Sequence, residues 1–394
     1  MAFKIEISAR AKNVSYPIRD IMQRAALVEA SGVKLHRFNI GDPNRFDFAP
    51  PAHITEAIID AVRNPKYSGY CPSEGDPQLR EAVAKAEGVS KTDVFITAGL
   101  SEGISFLLQS LLDPGDNALL PSPSYPLYTS ICKVLDSGEN FYRTDEDWQP
   151  DTDDLRKKVN KNTKAIVVIN PNNPTGASYP RKTLQAIVDI AGENGLPIIA
   201  DEIYHMLTFE EPSVRLSTIA KDVPVISGNG LSKNYVYTGA RVGYAAFHGG
   251  EELDALRASM QKFCNARLSI NWEMQRGAIA AYTQPASHVA GVLAKLRPRR
   301  DLIHRLLNEI PGINAVLPQA AFYIFPKVSG GPWKNDYSFV YDMMDATGIV
   351  GVPGGGFSPD LPGNFFRLVY LPQEGEISEA MGKLDSFMRK RLAN

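Results

Sequence analysis

Residues 165–204 read AIVVINPNNPTGASYPRKTLQAIVDIAGENGLPIIADEIY, and this stretch decides the fold. It opens on an apolar, β-branched run, Ala165–Ile169, whose pattern predicts a buried strand. The amphipathic spacing of Leu184–Ala191 predicts a helix, and Pro197–Ala200 predicts a second buried strand. Strand, helix and strand in this order read as a right-handed crossover between parallel neighbours. The alternation continues outward. Further strands are expected at Val94–Thr97, Ala118–Leu120, Val223–Ile226 and Val242–Phe247, with helices at Ile54–Val62, Gln78–Ala86 and Gly103–Leu112. The fold class is therefore α/β with a largely parallel sheet, and ligands of such sheets bind beyond the carboxyl ends of the strands.

From about Glu251 the pattern changes to long helical stretches. One is Val289–Ile310, which Pro298 is expected to kink or divide. Ala321–Pro326, a helix near Tyr337–Asp345, Ile349–Val352, Phe365–Tyr370 and a last helix from Ile377 then suggest a second domain around a separate small sheet. A chain of 394 residues has length for two or three domains and needs no disulfide or metal staple. Its 42 Lys+Arg against 44 Asp+Glu leave a net charge of −2, which removes the main electrostatic reason to expect nucleic acid or anionic membrane. Cys71, Cys132 and Cys264 are widely spaced and odd in number, which argues for a reducing compartment and against a zinc site. The opening MAFKIEISARAKN has no apolar stretch of signal-peptide length, and no run of 18 apolar residues occurs, so a cytoplasmic protein is expected. The Gly-rich run Gly351–Phe357 lacks both GxGxxG and GxxxxGK[ST] and reads as an ordinary tight loop.

Five strand-end features carry chemistry. Gly99-Leu100-Ser101 follows a strand and opens a helix, so its backbone N–H groups suit a phosphate, although Ser101 reads equally well as a plain N-cap. Asn170–Gly176 (NPNNPTG) is a turn that holds amide side chains rigidly at a strand end. Asp201 ends a buried strand, where a carboxylate is costly without a cation, an ion pair or a cap. Lys233, in NGLSK, is either a solvated lysine or an amine desolvated enough to form a Schiff base with a carbonyl cofactor. Arg367 sits inside the apolar strand FFRLVY, and its fork suits a carboxylate.

The stretches NPNNPTG, ADEIY, LSKNYVYTGARVGY and FRLVYL, in this order and spacing, resemble the class I, fold-type I aminotransferases that use pyridoxal 5′-phosphate (PLP). The resemblance runs from Tyr16-Pro17-Ile18-Arg19 to the final helix. Asn39–Pro43 (NIGDP), Asp147–Pro150 (DWQP), NGLSK and AFYIFPK look most like the microbial alanine-type members. It implies a large domain, about 46–285, with a mostly parallel seven-stranded sheet between helices. A smaller α+β domain would be built from both chain ends, 1–45 and 286–394.

The resemblance also implies roles. Lys233 would carry PLP and shuttle the α-proton, while Asp201 would keep the pyridine nitrogen protonated so that the ring accepts electrons. Asn173 and Tyr204 would hydrogen-bond the ring's phenolic oxygen, and Tyr125 would stack on its face. Gly99, Leu100 and Ser101 would cradle the phosphate, with charge from Arg241 and a contact from Ser232. Tyr70 would reach across a homodimer to the neighbouring phosphate. Arg367 would bind the substrate α-carboxylate, helped by Gly41 and Asn173, and Tyr16 lies in a segment that covers the substrate in relatives.

Two departures stand out. Gly230 replaces a phosphate-binding serine common three residues before the lysine, and Trp272 with Glu273 replaces small residues and a proline. The second departure bears on side-chain preference. His205 reads as lying behind the site or on the surface, since no second ligand sits at metal spacing. The expected activity is transfer of the amino group of an L-amino acid, alanine favoured, to 2-oxoglutarate. An aspartate or broad-specificity enzyme and a β- or γ-lyase remain the alternatives. A dicarboxylate needs a second cation, for which Arg19 and Arg267 are candidates. A catalytically silent PLP-binding regulator is disfavoured, because the family pattern begins by about Tyr16 and leaves no room for a preceding basic domain.

Overall fold

The computed structural model describes residues 5–14 and 17–393. Seven strands form one sheet: β1 (Val94–Ala98), β2 (Asn117–Ser122), β3 (Gly138–Arg143), β4 (Thr163–Ile169), β5 (Ile198–Asp201), β6 (Val225–Gly230) and β7 (Val242–His248). Their order is β1-β7-β6-β5-β4-β2-β3. The pairs β3–β2, β2–β4, β4–β5 and β5–β6 are parallel, and only β7 runs antiparallel to its neighbours β6 and β1. Every strand expected from the β-branched runs is present. The unforeseen one is β3, a polar edge strand (GENFYR) that is only partly buried.

Alternation along β4 places Ile166 and Val168 against the helix Arg181–Glu193 on one face. Ala165, Val167 and Ile169 face the other side, against the helices Leu100–Leu111 and Pro126–Leu135. A strand buried on both faces reads as a continuous apolar run, as Ala165–Ile169 does. The sheet's core is thus two apolar layers, and the carboxyl ends of the strands are left to carry polar groups.

The second sheet is antiparallel: β8 (Ile313–Asn314), β9 (Tyr323–Ile324), β10 (Lys327–Val328), β11 (Val352–Pro353) and β12 (Asn364–Val369). Its order is β9-β12-β10-β8, with β11 also paired to β12. A parallel pair, His36–Arg37 with Ile349–Val350, ties the N-terminal part of the chain to this region. The core beneath contains Ile21, Ala25 and Phe38 together with Leu296, Phe339, Phe366 and Leu384, so both chain ends supply it.

Of the two outcomes expected at Pro298, division does not occur: the helix His288–Glu309 continues through it. Leu296, Ile303 and Leu307 bury one face on both sides of the proline. Arg299 is held by Asp47 at 2.8 Å and by the Leu371 carbonyl at 2.6 Å, and Arg300 by Glu210 at 3.0 Å. These anchors offset the lost backbone bond. The glycine-rich run is a tight loop as expected: the Asp336 carboxylate accepts from the Gly355 N–H, and the loop lies on β12.

Candidate active site

The carboxyl ends of β4, β5 and β6, the start of the helix Leu100–Leu111 and the centre of β12 open onto one cavity of about 540 Å³. The sequence-predicted residues Gly41, Leu100, Ser101, Tyr125, Asn173, Asp201, Tyr204, Ser232, Lys233, Arg241 and Arg367 all line it. Gly99 sits directly behind, as the N-cap of that helix. Ser101 is therefore inside the first turn, and its alternative as the cap does not hold. Tyr70 is 80% exposed and away from the cavity. Tyr16 lies outside the described residues.

Lys233 follows β6 in a short turn, and its Nζ donates to the Gly41 carbonyl at 2.6 Å. Burial lowers its proton affinity to about 8; Arg241 and Arg367 push the same way while Asp42 opposes them. Asp201 ends β5 and is 4% exposed. Burial raises its carboxyl to about 7, against the lowering effect of the Ile203 N–H and the Tyr128 hydroxyl. Among the described residues no lysine, arginine or histidine forms an ion pair with it. A buried carboxylate without a cation is costly, and so is fitted to receive one.

Arg241 adopts a left-handed conformation, φ 51°, just before β7. Its guanidinium reaches Ser232 Oγ at 3.3 Å and the Ala98 carbonyl at 3.4 Å. A side chain at Gly99 would begin 2.3 Å from Arg241 Nη2, so glycine is required for the helix start and the guanidinium to converge. Gly230 has its own reason. It pairs with Gly243 in the β6–β7 ladder, and a Cβ there would lie 2.6 Å from the Val242 carbonyl oxygen. The serine common at this position does not fit this backbone.

Arg367 is 1% exposed in the middle of β12. Its guanidinium donates to Asn173 Oδ1 at 2.9 Å and to the Asn39 carbonyl at 2.6 Å, and it lies 4.6 Å from the Tyr323 ring and 4.9 Å from Phe357. With its oxygen engaged by Arg367, Asn173 keeps its Nδ2–H as the donor end. Tyr204 Oη is 2.7 Å from Tyr323 Oη. Gly41 admits this close packing, since a Cβ there would fall 2.1 Å from the Tyr323 hydroxyl.

Three site residues were not anticipated. Tyr323 lies in AFYIFP, which reads as a strand and as an alanine-type stretch but gives this tyrosine no role, and Tyr128, 3.3 Å from Asp201 Oδ2, reads only as a core residue of its helix. Arg45 lines the cavity mouth, 3.3 Å from Asp42 Oδ2 and 56% exposed; as one of a scattered set of surface arginines it carried no signal. Arg267 is not in the cavity. Its side chain is taken up by Glu102 at 3.3 Å and by the Ile96 and Leu268 carbonyls. The side chain of Arg19 lies outside the described set. Trp272 also stays away from the cavity: it donates to Asp76 at 2.7 Å and packs edge-on to Tyr67, in the segment that carries Tyr70. His205 is half-buried behind the site, and no cluster of metal-ligating side chains exists among the described residues.

This donor set fits PLP: an enclosed amine, a buried carboxylate lacking a cation, and an arginine beside a helix N-terminus where a glycine leaves room. Comparison with known proteins agrees. The profile of "Aminotransferase class I and II" matches residues 34–384. The chain is 36% identical to the glutamate-pyruvate aminotransferase AlaA of Haemophilus influenzae, over 97% of each chain. It is 36% identical to an alanine aminotransferase of Mycobacterium tuberculosis, over 97% of this chain and 92% of that one. An alanine aminotransferase structure from Pyrococcus furiosus superposes with a TM-score of 0.95 at 45% identity, covering 98% of this chain and 100% of that one. A likeness of this extent and closeness makes the chain a member of the class I and II aminotransferases, which use PLP.

Proposed function

We propose that this aminotransferase moves the amino group of L-alanine to 2-oxoglutarate, giving pyruvate and glutamate, and that it works as a cytoplasmic homodimer. The observation that carries the reading is the enclosed Lys233 amine sharing one cavity with Asp201 and Arg367. The alanine preference is supported by the relatives, which are glutamate-pyruvate and alanine aminotransferases. The same relatives favour transamination over elimination.

Bound PLP supplies a carbonyl that exchanges amines and a ring that takes up the electron pair left when Cα loses its proton. Around it, Lys233 Nζ would hold the cofactor, and when displaced by the substrate amine would take the α-proton and pass it on. An amine whose proton affinity is lowered to about 8 can do both near neutral pH. Asp201 would hold the proton on the ring nitrogen. The hydroxyl of Tyr204 and the Nδ2–H of Asn173 would donate to the phenolic oxygen, and Tyr125 would cover the ring face. Gly99, Leu100, Ser101, Ser232 and Arg241 would bind the phosphate through backbone N–H groups, hydroxyls and charge.

Arg367 would hold the α-carboxylate common to every substrate, with the Gly41 backbone beside it. For the distal carboxylate of 2-oxoglutarate, Arg45 is the cation left on the described cavity wall once Lys233, Arg241 and Arg367 have their roles. The dimer is supported by Tyr70, 80% exposed, with Val62 and Leu268 also exposed; Tyr70 would complete the neighbour's phosphate site. Three free, buried cysteines support a reducing compartment. The division into a large domain, 46–285, and a small one from 1–45 and 286–394 belongs to the same proposal, supported by the two separate sheets. Borohydride reduction of the PLP-loaded protein, followed by peptide mapping, tests the reading. The label is expected on Lys233; a label on any other lysine overturns the assignment.

A further inference from the structure

The stretches NGLSKN and ADEIYH contain polar residues that the chemistry above leaves unused: Asn229, Asn234, Glu202 and His205. They meet behind the cavity. Asn229 ends up 1% exposed near the close of β6, and Asn234, also 1% exposed, directly follows Lys233. Asn229 Nδ2 donates to the Glu202 carbonyl at 3.0 Å and lies 2.7 Å from His205 Nδ1. Asn234 Nδ2 donates to Asn229 Oδ1 at 2.9 Å and lies 2.9 Å from the same His205 nitrogen. Each amide thus spends both of its N–H bonds, and with the amides so oriented His205 Nδ1 is the unprotonated ring nitrogen, its single lone pair shared between the two donors. The Glu202 carbonyl, 3.1 Å from that nitrogen, is served by Asn229 instead. Asn234 Oδ1 closes the set by accepting from the Met206 N–H at 3.1 Å.

Glu202 is anchored as firmly. It directly follows Asp201, and the strand's alternation sends the two carboxylates to opposite faces. Glu202 accepts from Arg215 Nε at 2.8 Å and from the Leu216 N–H at 2.9 Å. Arg215 also binds Glu87, whose carboxylate takes further bonds from Ser227 and Tyr244. A buried, fully satisfied polar network is stiff, because every displacement leaves some group unpaired. This one joins the residue after Asp201 to the residue after Lys233.

We propose that Asn229, bridging Glu202 to Asn234 with His205 as shared acceptor, is a positioning residue that sets the placement of Lys233 relative to Asp201. The inference rests on the assignment of those two as the catalytic pair. Burial holds His205 neutral, its proton affinity lowered to about 4, which suits its role as acceptor. Geometric slack between proton carrier and electron sink costs rate and spares binding, since Arg367 and the phosphate cradle are untouched.

The test uses PLP-loaded Asn229→Ala, Asn234→Ala and the double variant, with Asn229→Ser as a second form should the alanine variant fold poorly. Expected are a fall in kcat of about tenfold to a hundredfold with KM for alanine within about twofold. The pH midpoint of the visible cofactor absorbance should also shift, and the double variant should be no slower than the worse single one, because both act along one path. Unchanged kcat, additive losses, or a fall in kcat only in step with KM and melting temperature would overturn the proposal. Mapping the reduced wild-type protein separates the two levels: a label away from Lys233 removes the catalytic pair, whereas a label on Lys233 with normal Asn229 variants removes this inference alone.

Discussion

Asp201→Asn should make the cofactor-free protein more stable, and by an amount that depends on pH. In the folded protein burial lifts the Asp201 carboxyl from the ordinary 3.8 to about 7. The folded state therefore binds this proton more tightly than the unfolded chain, and stability is lost as pH rises from about 4 to about 7. Above pH 7 the penalty is complete: about three decades in proton affinity at about 1.4 kcal/mol each come to about 4 kcal/mol. Asparagine has the same shape and cannot ionise; its oxygen can keep accepting from the Ile203 N–H while its Nδ2–H donates to Tyr128 Oη, a hydroxyl that can turn to accept. The variant should gain about 4 kcal/mol at pH 8 and about 0.5 kcal/mol near pH 4. At about 2.1 cal/mol/K per residue for 394 residues, the gain at pH 8 is about 5 °C in Tm if unfolding is cooperative. Differential scanning calorimetry of both cofactor-free proteins at pH 4, 6 and 8 reads it directly. Loading PLP should shrink or reverse the difference, because a protonated ring nitrogen supplies the cation that the carboxylate lacks. An equal effect of the substitution at all three pH values would falsify the account of Asp201 as a buried charge awaiting its partner.

Two further outcomes follow from the cavity's geometry. Arg45→Gln should raise KM for 2-oxoglutarate and glutamate about tenfold while leaving alanine and pyruvate within about twofold, since only the five-carbon substrates carry a second carboxylate; steady-state kinetics with all four substrates checks it, and equal effects on alanine would refute it. Gly230→Ser should lower the melting temperature, at a cost of about 1–3 kcal/mol, because its Cβ would meet the β7 backbone. A variant as stable as the parent would show that the β6–β7 ladder opens freely.

The fold was legible where burial imposes one chemistry on a stretch. Strands covered on both faces, such as β4, must be apolar throughout and announce themselves. The edge strand β3 (GENFYR) did not, because an edge exposed to water tolerates polar residues and glycine. Pro298 does not divide its helix, because anchors such as the Arg299–Asp47 pair, which only the folded chain supplies, hold both sides of it. At the candidate site most motif residues came together in one cavity because they follow strand ends, while Arg367 reaches it from the middle of β12. Tyr128 and Tyr323 stayed hidden, since a buried tyrosine facing a carboxylate looks in sequence like any tyrosine of a core. The departure at Gly230 became intelligible only from the ladder, where its partner is another glycine. The near-neutral net charge was silent about the site, where four cations, Arg45, Lys233, Arg241 and Arg367, and the buried carboxylate of Asp201 set the chemistry.

The central claim is that one cavity passes an amino group from alanine to the cofactor and keeps it there for the oxo acid. Mixing the PLP-loaded protein with L-alanine alone, with no oxo acid present, tests this most directly. The account predicts loss of the visible cofactor absorbance with release of one pyruvate per site and no ammonia, and recovery of the absorbance when 2-oxoglutarate is added. Continuous release of pyruvate and ammonia, or no change in absorbance with alanine, would contradict it.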